Sequence, residues 1–175
     1  QQAVLSMDHN GNRYDEDLRA AMRYFLPSDL THNSGLSATA VELILELADV
    51  GWDYHPERRS QDVVFDVLHT QDLPLTHQDR VAVAIALNTR QGGDYDKEIK
   101  EDVLDLLPKS SLKAALALGH CLRFALKFSG SSLTLLEQAK LVQKHGSLEL
   151  VVKPNWQAAV TGDTANWLKK LNDKL

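Results

Sequence analysis

The residues with the clearest chemical potential lie in one short stretch, residues 41–61, where one predicted helix ends and the next begins. Asp49 closes the first helix, His55 lies in the turn, and Arg58 and Arg59 fall in the first turn of the second helix. Carboxylates and imidazoles are metal ligands, whereas guanidinium groups bind phosphate. The stretch therefore indicates either a metal-hydrolase site or an anion-binding corner.

An HD-type metal hydrolase would require a histidine directly before Asp49. Such helical enzymes place an adjacent His-Asp pair at a helix end, because several imidazole and carboxylate ligands must act together to acidify bound water. Here the dipeptide is Ala48-Asp49, and alanine offers no lone pair. We therefore interpret Ala48 and Asp49 as a degenerate metal-site position, and assign no catalytic residue and no metal ligand. Asp49 is expected to accept hydrogen bonds from Arg59 or from backbone N–H groups.

Other familiar signatures of catalysis and nucleotide binding are absent from the sequence. It has no P-loop, no G-x-G-x-x-G motif, no C-x-x-C pair, no H-E-x-x-H motif and no G-x-S-x-G elbow. Its single cysteine, Cys121, falls within an apolar helical pattern, where a thiolate would be costly. We expect a buried, unreactive thiol, and a lone cysteine fits a reducing compartment.

More basic residues recur at helical spacing further along the chain. Arg80 and Arg90 share one face of a predicted helix, residues 76–91, and lie about 15 Å apart. Because arginine binds phosphate bidentately, two guanidinium groups so spaced would suit a polyphosphate or nucleotide tail. The next long helix carries a polar stripe made of Lys113, His120, Arg123 and Lys127.

Ion pairing competes with phosphate binding as the role of these basic residues. Acidic residues outnumber lysines and arginines by 24 to 19, so pairing with nearby acids is the favoured interpretation, with a solvated edge for the stripe. Phosphate binding is the sharper hypothesis. The residues it would use are Arg58, Arg59, His77, Arg80, Arg90 and Arg123.

The elements that must position these side chains are mainly helices. Apolar residues recur at helical spacing through residues 13–26, 37–48, 56–69, 76–91, 96–107 and 112–128. Ser37 and Thr76 are expected to cap helices, and Gly92 to end one. Residues 148–152 alternate apolar and polar side chains after a Lys-His-Gly turn, which predicts a β-hairpin. Asp163 is expected to cap a last short helix.

The predicted fold is all-α and HD-domain-like, with a small C-terminal β-hairpin and helix as an α+β appendage. A chain of 175 residues is long enough to bury a proper core. We place the helical domain at residues 1–130, with residues 1–12 poorly structured, and the appendage at residues 131–175. Because the sequence starts at Gln1 and not at methionine, we expect a fragment of a longer protein.

Composition narrows the range of partners. The formal net charge of −5 argues against a general nucleic-acid binder, since proteins that track phosphates usually carry a basic excess. No apolar run approaches the ~18 residues of a membrane span, and the N-terminus shows no signal-peptide pattern. We expect a cytoplasmic protein with no membrane partner and no specific nucleic-acid partner.

Several short motifs follow one another in a fixed order. They are LADVGW at residues 47–52, His55-Pro56, Arg59, HQDR at residues 77–80, and Arg90. This order resembles the C-terminal part of the exopolyphosphatase / guanosine pentaphosphate phosphohydrolase (Ppx/GppA) family. Many members there have L-x-x-D-I-G-W-x-x-H-P-x-x-R followed by H-x-x-R, while others keep His-Asp-Ile-Gly. The resemblance extends over residues 40–175, and the first forty residues match weakly.

The resemblance implies a division of labour between domains. In that family, terminal phosphate is hydrolysed by N-terminal domains with an actin-like ATPase fold, which use carboxylates, magnesium and glycine-rich loops. The C-terminal region is HD-like and is associated with dimerisation and with a basic passage for polyphosphate. This chain is accordingly expected to be an inactive accessory domain and a homodimer, without a cofactor of its own. Its substrate through the parent enzyme would be polyphosphate or guanosine pentaphosphate.

Two other functions stay open on the sequence alone. One is a free-standing, metal-dependent HD-type phosphohydrolase, which would need stoichiometric bound metal. The other is a non-catalytic interaction module with no affinity for anions.

Overall fold

The structure, a computed structural model, describes residues 15–32, 34–51, 54–70 and 73–175. Its α-helices are α1 (Asp15–Phe25), α2 (Ser28–His32), α3 (Ala38–Glu46), α4 (Arg59–His69), α5 (His77–Gln91), α6 (Tyr95–Glu98), α7 (Glu101–Leu104), α8 (Lys109–Ser129), α9 (Leu133–Glu137) and α10 (Gly162–Asn172). Between α9 and α10 lie strands β1 (Ala139–Lys144) and β2 (Ser147–Val152) and a 3-10 helix (Pro154–Ala159). The predicted mostly helical fold with a small β-hairpin and final helix is confirmed. Residues 1–12, predicted to be poorly structured, lie outside the described residues.

The centre of the fold is the packing of α5 against α8. Every residue from Val81 to Thr89 in α5 is buried, so this helix is covered on all sides. Gly119 lets α8 approach closely, because a Cβ added there would come within 2.4 Å of the Ala86 carbonyl oxygen. The predicted helix at residues 112–128 is confirmed by α8, and α5 is its more continuously buried partner.

Local capping explains where several helices begin and end. The Ser37 hydroxyl accepts a hydrogen bond from the Ala40 N–H at 3.1 Å, and Thr76 caps α5 in the same way. Gly92 ends α5 with a φ of +88°, a conformation that glycine adopts without strain. These predictions are confirmed. Asp163 is not the cap of α10, because Thr161 takes that place through a capping box and leaves Asp163 in the first turn.

The predicted β-hairpin is confirmed, with an antiparallel register that pairs Ala139 with Val152 and Lys144 with Ser147. Its two-residue turn places His145 and Gly146 at positive φ, as tight hairpin turns require. The hairpin packs on α1 through β1 and on α10 through β2. Its apolar side chains join the same hydrophobic cluster as the helices, and the domain boundary at residue 130 stays a prediction.

The predicted helix over residues 96–107 is wrong. The structure has two one-turn helices, α6 and α7, because Ile99 and Lys100 between them are extended, with ψ near 132° and 144°. Ile99 is buried, so packing of this side chain into the core overrides the helical pattern around it. The predicted helix over residues 56–69 starts later than expected, at Arg59. None of the helices in the described part of the chain is both long and apolar enough to cross a membrane.

Candidate functional site

The end of α3 and the end of α5 meet in what we call the corner, formed by Ala48, Asp49, Val50, Arg90 and Gln91. Ala48 is fully buried, where an HD-type site would carry its histidine. Asp49 accepts a hydrogen bond from Arg90 Nη2 at 3.0 Å, and the Arg90 side chain is only 10% exposed. Gln91 Nε2 donates to the Val50 carbonyl at 2.7 Å. The corner therefore joins two helix ends through one ion pair and one amide hydrogen bond.

Electrostatics at the corner show how tightly positive charge is packed there. The pKa of Arg90 is lowered to about 10, mainly by burial; Asp49 opposes this shift, and the charges of Arg59 and Arg123 contribute to it. Arg90 still carries its charge at neutral pH. Asp49 consequently acts as the counter-ion of a buried guanidinium, although its expected donors were Arg59 or backbone N–H groups.

Metal ligation finds no support in the described residues, where no three His, Cys, Asp or Glu side chains come together as a metal site. The Asp49 carboxylate is engaged with Arg90. The assignment of no metal ligand stays a prediction.

Arg80 caps the C-terminal end of α4. Its guanidinium donates to the carbonyls of Val67 at 3.0 Å and Leu73 at 3.3 Å, and also to the Thr70 carbonyl. The last carbonyls of a helix have no partner within the helix, so these bonds satisfy groups that would otherwise be orphaned. Most of the hydrogen-bonding capacity of Arg80 is used inside the fold, and its predicted role in phosphate binding remains untested.

The other predicted binding residues near the corner are dispersed. Arg58 is exposed and lies 3.6 Å from Asp62, one helical turn away. Arg59 is partly buried and donates to the Tyr54 carbonyl at 3.3 Å. His77 is exposed at the N-terminal end of α5, about 20 Å along the helix from the corner. The structure therefore does not bring His77 together with the arginines at the other end of α5.

A separate cleft of about 330 Å³ lies between α8, α10 and the C-terminal end of α5. We call it the basic cleft. It is lined by Thr89, Gly92, Gly93, His120, Arg123, Phe124, Lys127, Trp167, Lys170, Leu171 and Lys174. Three members of the stripe predicted from the sequence thus face one cavity, and the fourth, Lys113, is exposed outside it.

Two of the basic residues in the cleft were missed by the sequence analysis. Lys170 lies in the last turn of α10, and Lys174 lies just beyond the end of that helix. Their spacing of four residues, alongside Trp167 and Leu171, was the signal that they share the inner face of the helix. That this face packs against α8 could not be read from the spacing alone.

The basic cleft contains no acidic residue among those that line it. Arg123, Lys127, Lys170 and Lys174 form no salt bridge with any residue that the structure describes. Burial lowers the pKa of Lys127, and the neighbouring charges of Arg123 and Lys170 lower it further. The cleft thus has several positive charges, no acid in its lining and no salt bridge from these four cations to a described residue, so an anion entering it would be stabilised.

The position of Arg123 is set by the end of α5. Its Nη1 donates to the Arg90 carbonyl at 3.2 Å, and the guanidinium lies so close to Gly92 that a Cβ there would be 2.1 Å from Nη1. Burial lowers the pKa of Arg123 as well. Gly92 therefore serves two purposes, because it adopts positive φ and leaves room for the arginine. The Lys127 Nζ lies 5.7 Å from the Trp167 ring centroid, close enough for a cation–π contact.

Comparison with known proteins identifies the family. The model of the exopolyphosphatase C-terminal domain matches residues 31–173 of the 175, which is most of the chain. The chain belongs to this family, as its motifs predicted. A comparison with curated proteins finds no match.

Proposed function

We propose that this domain holds the polyanionic substrate of an exopolyphosphatase-like phosphohydrolase, polyphosphate or guanosine pentaphosphate, while other domains of the parent enzyme carry out hydrolysis. The observation that supports this most is the basic cleft, which has no acid in its lining and four cations that form no salt bridge with a described residue. A polyphosphate chain carries closely spaced negative charges and only oxygen acceptors. Lysine and arginine side chains at a partly enclosed surface are the groups that recognise it.

The proposed anion site is the basic cleft and not the corner. Of the six residues predicted for phosphate binding, Arg123 lines the cleft, whereas Arg90 is committed to Asp49 and Arg80 to backbone carbonyls. Arg123 has guanidinium N–H groups beyond the one that bonds to α5. The lysines that line the cleft, Lys127, Lys170 and Lys174, have long side chains with several rotatable bonds. The combination provides one fixed donor and several mobile charges along a groove.

Dimerisation is the second part of the proposed role, and it rests on the family. Sedimentation equilibrium at several protein concentrations tests it, and we expect the mass of a homodimer. A single species at the monomer mass across the micromolar range would remove dimerisation from the proposal while leaving anion binding intact.

Titration with inorganic polyphosphate tests anion binding. The double variant Lys127→Gln/Lys170→Gln removes two charges from the cleft, and Lys113→Gln/Lys169→Gln removes two from the same helices outside it. We expect the first variant to lose at least about tenfold in affinity, the effect of about 1.5 kcal/mol from one charge-assisted contact. The control should match the wild type. Equal losses in both variants would indicate diffuse attraction without a site.

A further inference from the structure

The basic residues of the cleft lie on two walls that belong to different elements. His120, Arg123 and Lys127 lie on α8, and Lys170 and Lys174 lie on or just after α10. The walls also meet through apolar contacts, including the buried side chain of Leu171. Apolar packing thus draws α10 onto α8, while like charges on the two walls oppose the same approach.

Repulsion between the two walls is seen in the pKa values of residues that face each other across the cleft. Besides burial, the charge of Lys170 lowers the pKa of Lys127 on the facing wall, and the charge of Lys174 lowers that of His120. Lys97 lowers the pKa of Asp94 through an ion pair at 2.7 Å, and the charge of Lys174 also lowers it. The cations of the two walls therefore form no salt bridge with a described residue, and Asp94, which interacts with Lys174, is already paired with Lys97.

The attachment of α10 is asymmetric. On the hairpin side, Asn172 donates to the Leu148 carbonyl at 3.0 Å and accepts from the Leu148 N–H at 2.7 Å. On the α8 side, the polar residues that line the cleft are the cations Arg123 and Lys127 and the histidine His120. The helix could separate from α8 while these two hydrogen bonds to β2 persist.

On the basis of the proposed function, we propose that an anion in the basic cleft acts as the missing counter-ion that fastens α10 to α8, so that docking of the C-terminal helix and substrate binding are linked. The ligand class is a compact anion with at least two phosphate groups. One phosphate group carries only about two negative charges near neutral pH and does not balance four cations, whereas a cleft of about 330 Å³ is large enough for linked phosphate groups.

Amide hydrogen exchange of the full chain tests this linkage, with sodium tripolyphosphate as the probe and orthophosphate at matched ionic strength as the comparison. An 11-residue helix is marginal without tertiary packing, so separation from α8 exposes the amides of α10. If this opening releases the anion, exchange in residues 162–172 slows by the factor 1 + [L]/Kd. At thirty times the Kd, we expect about thirty-fold slower exchange with tripolyphosphate. Orthophosphate should have little effect. Equal protection by both anions would overturn the requirement for two phosphate groups.

Two variants of α10 distinguish repulsion across the cleft from a general effect of replacing a lysine in this helix. Lys169 and Lys170 both lie in the last turn of α10, so each interacts favourably with the helix dipole, but only Lys170 lines the cleft. Without anion, we expect slower exchange in Lys170→Gln than in Lys169→Gln, because one source of repulsion is gone. With tripolyphosphate, Lys170→Gln should gain less protection than the control.

The outcomes distinguish the two proposals. If tripolyphosphate binds but exchange in residues 162–172 does not change, or the two variants behave alike, the linkage is wrong and the proposed function stands. If neither tripolyphosphate nor long-chain polyphosphate binds the wild-type chain, both proposals fail.

Discussion

The corner and the basic cleft both contain basic side chains, but the two regions differ in whether a described acidic residue pairs with them. At the corner, the buried guanidinium of Arg90 has a carboxylate partner in Asp49 at 3.0 Å. In the cleft, Arg123 and three lysines have no acidic partner among the described residues. A paired cation holds the fold together, whereas an unpaired cation at a cavity leaves attraction for an external anion. The motif that identifies the family therefore lies mainly in the scaffold, next to the surface that we propose for binding.

The largest predicted effect breaks the pairing at the corner. Asp49→Ala leaves the guanidinium of Arg90 buried without its counter-ion, and we expect a loss of about 2 kcal/mol in the free energy of unfolding, less than for a fully buried pair because Asp49 is half-exposed. Urea denaturation measures it. The control is Asp62→Ala, whose partner Arg58 is 71% exposed and should contribute under about 0.5 kcal/mol. Equal losses would contradict a structural role for the corner.

A substitution where the two regions touch should affect both stability and binding. Gly92→Ala forces a side chain into positive φ and against Arg123, so we expect a loss of about 1–2 kcal/mol in stability and weaker anion binding. Gly130→Ala is the matched control. Gly130 also ends a helix at positive φ, but a Cβ there meets nothing within 4 Å. It should cost stability without changing polyphosphate affinity, and a loss of affinity in this control would break the comparison.

Lowering the pH should change stability and anion affinity in opposite directions. Burial, and then Lys174 and Arg123, lower the pKa of His120. Because its folded pKa lies below the unfolded value of about 6.5, the neutral form favours folding, and this stability is lost as the pH falls from about 6.5 through the folded pKa. Protonation adds a charge to the cleft, so affinity for tripolyphosphate should rise over the same range.

Two histidine variants isolate this effect. His120→Gln should reduce the pH dependence of tripolyphosphate affinity between about pH 7 and 5, measured by calorimetry. His145→Asn at the exposed hairpin turn, where asparagine accepts positive φ, should leave it unchanged. A pH dependence that persists in His120→Gln would contradict the assignment to this residue.

The smallest expected effects are those of metal removal on stability and of this chain on phosphate hydrolysis. We expect no stoichiometric metal in the purified chain by elemental analysis, no shift in Tm with EDTA, and no phosphatase activity on polyphosphate. One equivalent of bound metal together with turnover would support a free-standing hydrolase instead and reverse the roles of the corner and the cleft.

The fold was predictable where local chemistry decides it. Ser37, Thr76 and Gly92 showed the helix ends, and the alternation from Leu148 onward showed the hairpin. The break in the helical pattern at Ile99 could not be predicted, because it depends on burial of this side chain in the core, which tertiary packing determines.

The candidate site was less accessible from the sequence. Arg123 was predicted, since the stripe on α8 stands out as the polar edge of a buried helix. Lys170 was missed, because a lysine in the last turn of an exposed helix has the same local pattern whether it faces solvent or a second helix. The partner of Arg80 was also hidden, since backbone carbonyls leave no sign in a sequence.

Isothermal titration with tripolyphosphate, applied to variants of two pairs of basic residues, tests most directly whether the anion binds in the cleft. Lys127→Gln/Lys170→Gln removes charges of the cleft, and Arg58→Gln/His77→Gln removes predicted binding residues that are exposed elsewhere. We expect at least about a tenfold loss of affinity for the first variant and wild-type affinity for the second. Loss in the second variant with full affinity in the first would show that the anion binds along α4 and α5 and not in the cleft.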